Sequence, residues 1–152
     1  NISILRGEKV KLSLKSEKKL QEKISSIIQN MYTNAIENKE FKDVKNIFEN
    51  EKVDLSKIEN MYESFKSTIV SSGLKSFKLK DIDIKKYEIL DDGSINTTVK
   101  TKYDYKAVRV MLDKEYTKEN SGSDINNFTF VYENNNFKLT SMSSMQAYFS
   151  VY

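Results

Sequence analysis

The sequence predicts an α+β fold in which N-terminal helices, one long and two shorter, pack on a strongly bent antiparallel sheet of about four strands. Two patterns carry that expectation. Up to residue 72 apolar side chains recur three and four positions apart, the helical period, and from Leu74 onward β-branched and aromatic residues alternate with polar ones. The absence of proline leaves both patterns uninterrupted. At 152 residues the chain has the size of one hydrophobic core, and 38% apolar with 31% charged residues suits a folded domain rather than a disordered one. The chain therefore divides into a basic lead-in, 1–15, and a single domain, 16–152.

The alternation Val10-Lys11-Leu12-Ser13-Leu14 reads as a short strand or an ordered lead-in. A long helix follows over 17–38, where Leu20, Ile24, Ile27, Ile28, Met31, Tyr32, Ala35 and Ile36 form one stripe about 33 Å long. Such a stripe is a core face. Phe41, Val44, Ile47 and Phe48 give a shorter amphipathic piece that ends at the charged run 49–52. A third helix starts at Ser56, with Glu59 completing a capping box, and stops at Gly73, the residue that tolerates a left-handed cap.

In the first long strand the apolar parity is odd at Phe77 and Leu79, even at Ile82 and Ile84, and odd again at Tyr87 and Ile89. An unbulged strand keeps each side chain on a fixed face, so two flips predict bulges near Lys80-Asp81 and Lys85-Lys86. Asp91-Asp92-Gly93 reads as a three-residue hairpin loop that sets Ile89 opposite Ile95 and Tyr87 opposite Thr97. The second strand keeps one face from Ile95 to Tyr105 and is expected to switch at Ala107, running on through Val108, Val110 and Leu112. The polar stretch 113–127 is read as the turn into a third strand at Phe128. The last hairpin turns at Asn134-Asn135, pairing Tyr132 with Phe137 and Phe130 with Leu139.

Composition removes whole classes of chemistry. With no Cys and no His the chain has no disulfide, no thiol nucleophile, no thiolate or imidazole metal ligand and no imidazole base. No phosphate-binding glycine loop or metalloprotease pair occurs, and neither a metal nor an organic cofactor is expected. A net charge of +3, carried by lysine more than arginine, does not suit a nucleic-acid reader. The surplus gathers at the start: Arg6, Lys9, Lys11, Lys15, Lys18, Lys19 and Lys23 face only Glu8, Glu17 and Glu22, as in a juxtamembrane stem or the solvated start of a helix. No run is long and apolar enough to span a bilayer. The start at Asn1 reads as the cut end of a longer chain from which a signal or anchor is missing.

The acidic candidates are few. Asp104 falls on the face opposite Tyr103 and Tyr105, which suits a solvated charge, and Asp81 with Asp83 reads the same way. Asp124-Ile125-Asn126-Asn127, near Glu119, offers oxygens without the spacing of a calcium loop. Tyr32 lies on the buried stripe. Tyr148, Phe149, Val151 and Tyr152 crowd the C-terminus, so Tyr148, Phe149 and Tyr152 are candidates for an interaction surface or for a last strand folded onto the sheet.

The long helix at 17–38, the bent pair around Asp91-Asp92-Gly93 and the closing hairpin 128–141, with Phe137-Lys138-Leu139 returning as aromatic, Lys, apolar, resemble the nuclear transport factor 2-like superfamily. In that family a long helix packs into the concave face of a curved sheet, a cone. One branch, typified by ketosteroid isomerase and the polyketide cyclases, holds a small hydrophobic ligand in the cone. On that resemblance Tyr32, Tyr103, Tyr105 and Phe130 are the candidate pocket residues. Another branch comprises non-catalytic extracytoplasmic domains of membrane-anchored bacterial proteins and lipoproteins; members of the superfamily often dimerise through the sheet, which implies a homodimer as a candidate assembly here. The Lys-, Asn- and Ile-rich composition suits the second branch. The expected function is accordingly a non-enzymatic binding or assembly domain of the bacterial cell envelope, its partner a protein or a small hydrophobic ligand; the alternative is a cone enzyme.

Overall fold

The structure is a computed structural model and describes residues 2–3 and 11–145. Strands β1 (Ile2–Ser3) and β2 (Lys11–Leu12) pair with each other ahead of helix α1 (Leu14–Ile36). Helix α2 (Phe41–Val44), a 3-10 turn (Lys45–Ile47) and helix α3 (Leu55–Ser72) follow. Then β3 (Leu74–Ile89), β4 (Ser94–Met111), β5 (Lys114–Glu133) and β6 (Asn136–Met142) form an antiparallel meander in sequence order. The sheet is strongly curled and not closed, and the helices cover one of its sides.

Helix α1 begins three residues earlier than its apolar stripe suggested, because Ser13 caps it: the Ser16 N–H donates to the Ser13 hydroxyl at 3.1 Å. The predicted stripe is the core. Leu20, Ile24, Ile27, Ile28, Met31, Tyr32 and Ala35 are all buried, between β3 and α3. The capping box expected at Ser56 is absent. Asp54 caps α3 instead, its carboxylate accepting from the Ser56 and Lys57 N–H groups, because a carboxylate placed before the first turn also meets the positive end of the helix dipole. Gly73 ends the helix in the left-handed region at φ 76°, and a Cβ there would fall 2.0 Å from the Val108 carbonyl oxygen.

Both predicted bulges are present, at Leu79/Asp81 and Ile84/Lys86, and a third lies at Leu74/Ser76. The first hairpin has the expected register, Ile89 opposite Ile95 and Tyr87 opposite Thr97, with Gly93 at φ 87°. The last hairpin pairs Tyr132 with Phe137 and Phe130 with Leu139, across Asn134 and Asn135 at φ 53° and 61°.

Two expectations fail in the middle of the sheet. β4 does not switch faces at Ala107: its register with β5 runs from Ser94↔Val131 to Met111↔Lys114 without a shift. Val110 and Leu112 are apolar and yet point to solvent, because β3 ends its pairing at Leu74↔Ala107 and nothing described beyond it covers β4. Likewise 113–127 is not a turn. The turn is only Leu112-Asp113, both at positive φ, and β5 starts at Lys114. Past Ala107 the two strands form a two-stranded ribbon wet on both faces, so its polar residues satisfy strand geometry without an apolar alternation.

Candidate functional site

Beneath the long helix, side chains of α1, α3, β3 and β4 meet in an aromatic stack. Tyr32 lies face to face with Phe77, ring centroids 3.6 Å apart, and meets Phe65 edge-on at 4.9 Å. Tyr103 joins the stack from β4 at 4.9 Å from Phe77 and 6.5 Å from Tyr32, with Tyr105 6.3 Å further on. Three of the four predicted pocket residues are thus brought together. Phe130 is not among them. It sits eight residues along β5 from Gly122, the partner of Tyr103, and packs with Phe128 and Phe137.

The stack ends at a carboxylate. Asp124, Asn126, Phe128 and Phe130 share the helix-facing side of β5, which puts Asp124 opposite Thr101 and beside Tyr103 and Tyr32. Its carboxylate accepts from the Ile125 N–H at 2.9 Å and, at 3.4 Å, from the Asn126 amide. Burial pushes the Asp124 carboxyl above its ordinary range and outweighs those two bonds. Burial likewise raises the hydroxyls of Tyr32 and Tyr103, and the neighbouring Asp124 adds to both shifts. A carboxyl tuned upward beside two tyrosines is the arrangement an acid–base site uses. The sequence reading missed Asp124 as a partner of Tyr32, because with 113–127 taken as a turn its parity with Phe128 carried no meaning.

Space is the other requirement. The rings and the Ile and Met side chains of α1 fill the interior around Tyr32, and the ring of Tyr103 lies across Gly122, where a Cβ would come within 2.8 Å of it. Open clefts lie on the surface. One of about 650 Å³ separates the start of α1 from the β5–β6 turn, lined by Ser13, Lys15, Lys19, Tyr132 and Asn135. Two of about 410 and 430 Å³ flank Asp104 among Lys78, Lys80, Lys100, Lys102 and Lys106.

The remaining acidic candidates are surface charges. Asp104 accepts from the Ser121 hydroxyl at 2.7 Å and pairs with Lys80 at 3.7 Å, while Asp83 pairs with Lys85 at 2.8 Å. Among the described residues no cluster of three acidic side chains could hold a metal ion, and no helix is long and apolar enough to cross a membrane. Tyr148, Phe149 and Tyr152 lie outside the described residues.

A second site is the ribbon tip, where large apolar side chains stand in solvent. Leu112 is 96% exposed and Val110 67%, with Met111 and Tyr116 partly exposed beside them. Val110 lies on the outer face of β4 beyond the body of the sheet, and Leu112 in the turn that follows. Basic and acidic groups interleave there, with Arg109 opposite Tyr116, Met111 opposite Lys114 and Val110 opposite Glu115.

No protein-family model and no curated protein matches the chain. Its fold matches a solved structure, the intermembrane space region of the chloroplast protein ARC6, with a TM-score of 0.59 over 90% of this chain and 99% of that one. The two sequences are 6% identical, so the likeness is one of fold alone.

Proposed function

We propose that this chain is a non-enzymatic binding or assembly domain of a bacterial cell-envelope protein, of the nuclear transport factor 2-like type. The observation that carries the binding half is the contrast between the inside and the ribbon. Tyr32 is occupied by its own stack with Phe77, whereas Val110, Met111, Leu112 and Tyr116 concentrate apolar surface on one protruding element. A Leu that is 96% exposed at a tight turn gains most of its burial energy only against another molecule. The basic residues of the lead-in support the envelope half. The outer sheet face is a weaker docking surface, since polar pairs such as Thr98 with Asn127 and Thr129 with Asn96 occupy it.

The test uses the full natural chain in its own host. Protease added to intact cells should cut it, and native complexes should run larger than the protein alone. Leu112→Asp should return it to its own mass, while Asp124→Asn should leave the complex intact. Protection from protease, or a complex indifferent to Leu112→Asp, overturns the reading.

One observation favours the enzyme alternative, the raised Asp124 carboxyl beside Tyr32 and Tyr103. On that reading small hydrophobic molecules should raise the melting temperature of the wild type and not of Asp124→Asn.

A further inference from the structure

The bulge between Ile84 and Lys86 turns Tyr87 back to the helix-facing side of β3, toward the start of α1. There its hydroxyl makes two bonds. It accepts from the Leu12 N–H at 2.8 Å and donates to the Glu17 carboxylate at 3.0 Å. Leu12 itself is buried in the core, one residue ahead of the Ser13 cap, and Glu17 lies in the first turn of α1. Ile2 and Ser3 pair with Leu12 and Lys11, so the strand that Tyr87 grips also holds the chain that leads into it. Burial raises the Tyr87 hydroxyl, which keeps it protonated and able to donate.

We propose that Tyr87 is a clasp that fixes β2, and the β1 strand paired with it, against the start of α1. The β1–β2 pair is then held at a set orientation to the sheet and to α1. This goes beyond the binding reading and stands whether or not the ribbon has a partner.

The chain has no cysteine, so Ser3→Cys with Asp91→Cys gives one clean pair of spin labels. The wild-type background should show a narrow distance distribution. Tyr87→Phe keeps the ring and removes both bonds, and it should broaden that distribution and speed exchange of the Leu12 amide about tenfold. Exchange of the Val99 amide, deep in β4, should not change and reports that the variant is folded. Glu17→Gln keeps an acceptor oxygen and should behave as wild type. An unchanged distribution and unchanged Leu12 exchange in Tyr87→Phe overturn the clasp.

Discussion

Tyr32 and Phe77 stack with their planes 1° from parallel and their centroids 3.6 Å apart, joining the middle of α1 to the start of β3. Helix α1 and the sheet are thereby registered by a contact that offers large area in a single geometry.

Tyr32→Ala should therefore cost about 3–5 kcal/mol, the range for deleting a buried ring. Tyr32→Phe keeps the stack and should cost about 1 kcal/mol. Urea unfolding of both variants separates the ring from its hydroxyl. Equal losses would mean that the hydroxyl, not the stack, dominates.

Gly73 and Gly93 both have positive φ but differ in surroundings. A Cβ at Gly93 would meet no atom within 4 Å, so Gly93→Ala should cost about 1–2 kcal/mol of backbone strain. Gly73→Ala adds a collision with the Val108 carbonyl, which must move, and with it the bond from the Val108 N–H to the Gly73 carbonyl, now 2.8 Å. A larger loss at Gly73 than at Gly93 in thermal unfolding, with faster amide exchange at Val108, is the expected result.

The cap of α3 can be located by two substitutions. Asp54→Ala should cost about 1 kcal/mol, and Ser56→Ala should stay within about 0.5 kcal/mol. The reverse order in urea unfolding would restore the capping box.

Asp124 sets a pH dependence of unusual sign for a carboxylate. Burial raises its folded pKa above the ordinary 3.8, so the folded state holds the proton more tightly than the unfolded chain. Its contribution is fully present below the unfolded value and is lost as the pH rises through the folded one. Asp124→Asn should gain stability relative to wild type as the pH goes from about 3 to about 7. Unfolding in urea across that range checks it; a flat difference would show that burial does not strain the ionised carboxylate.

Much of the fold was legible because strand parity is a strict code. Phe77, Ile82 and Tyr87 cannot share a face without bulges, and Gly93 and Asn134-Asn135 admit few turns, so the bulges and both hairpin registers followed from residue order. The ribbon was not legible for the same reason inverted. From Lys114 to Asn120 neither face of β5 is covered by a second layer, so no alternation marks it, and its polar residues read as a loop. Val108, Val110 and Leu112 were read as a switch of the strand's apolar face, whereas apolarity marks a core face only where something lies above it, and Val110 and Leu112 stand in solvent. The aromatic cluster was half legible. Tyr32, Tyr103 and Tyr105 were named from the sequence, while Asp124 depended on the extent of β5 and Tyr87 on a contact between residues 75 positions apart.

The uninterrupted register of β4 also makes it a spacer. Its first residues lie at the end of the domain where Lys19 reaches the Asn135 carbonyl and Tyr87 holds Leu12, and its last residue adjoins Leu112. Eighteen residues at about 3.3 Å each give a contour of roughly 59 Å along the strand. The tip at Leu112 therefore stands at the far end of β4 from the Tyr87–Leu12 contact, and shortening the ribbon by a pair of residues at a time would bring that tip closer to the body of the sheet in steps.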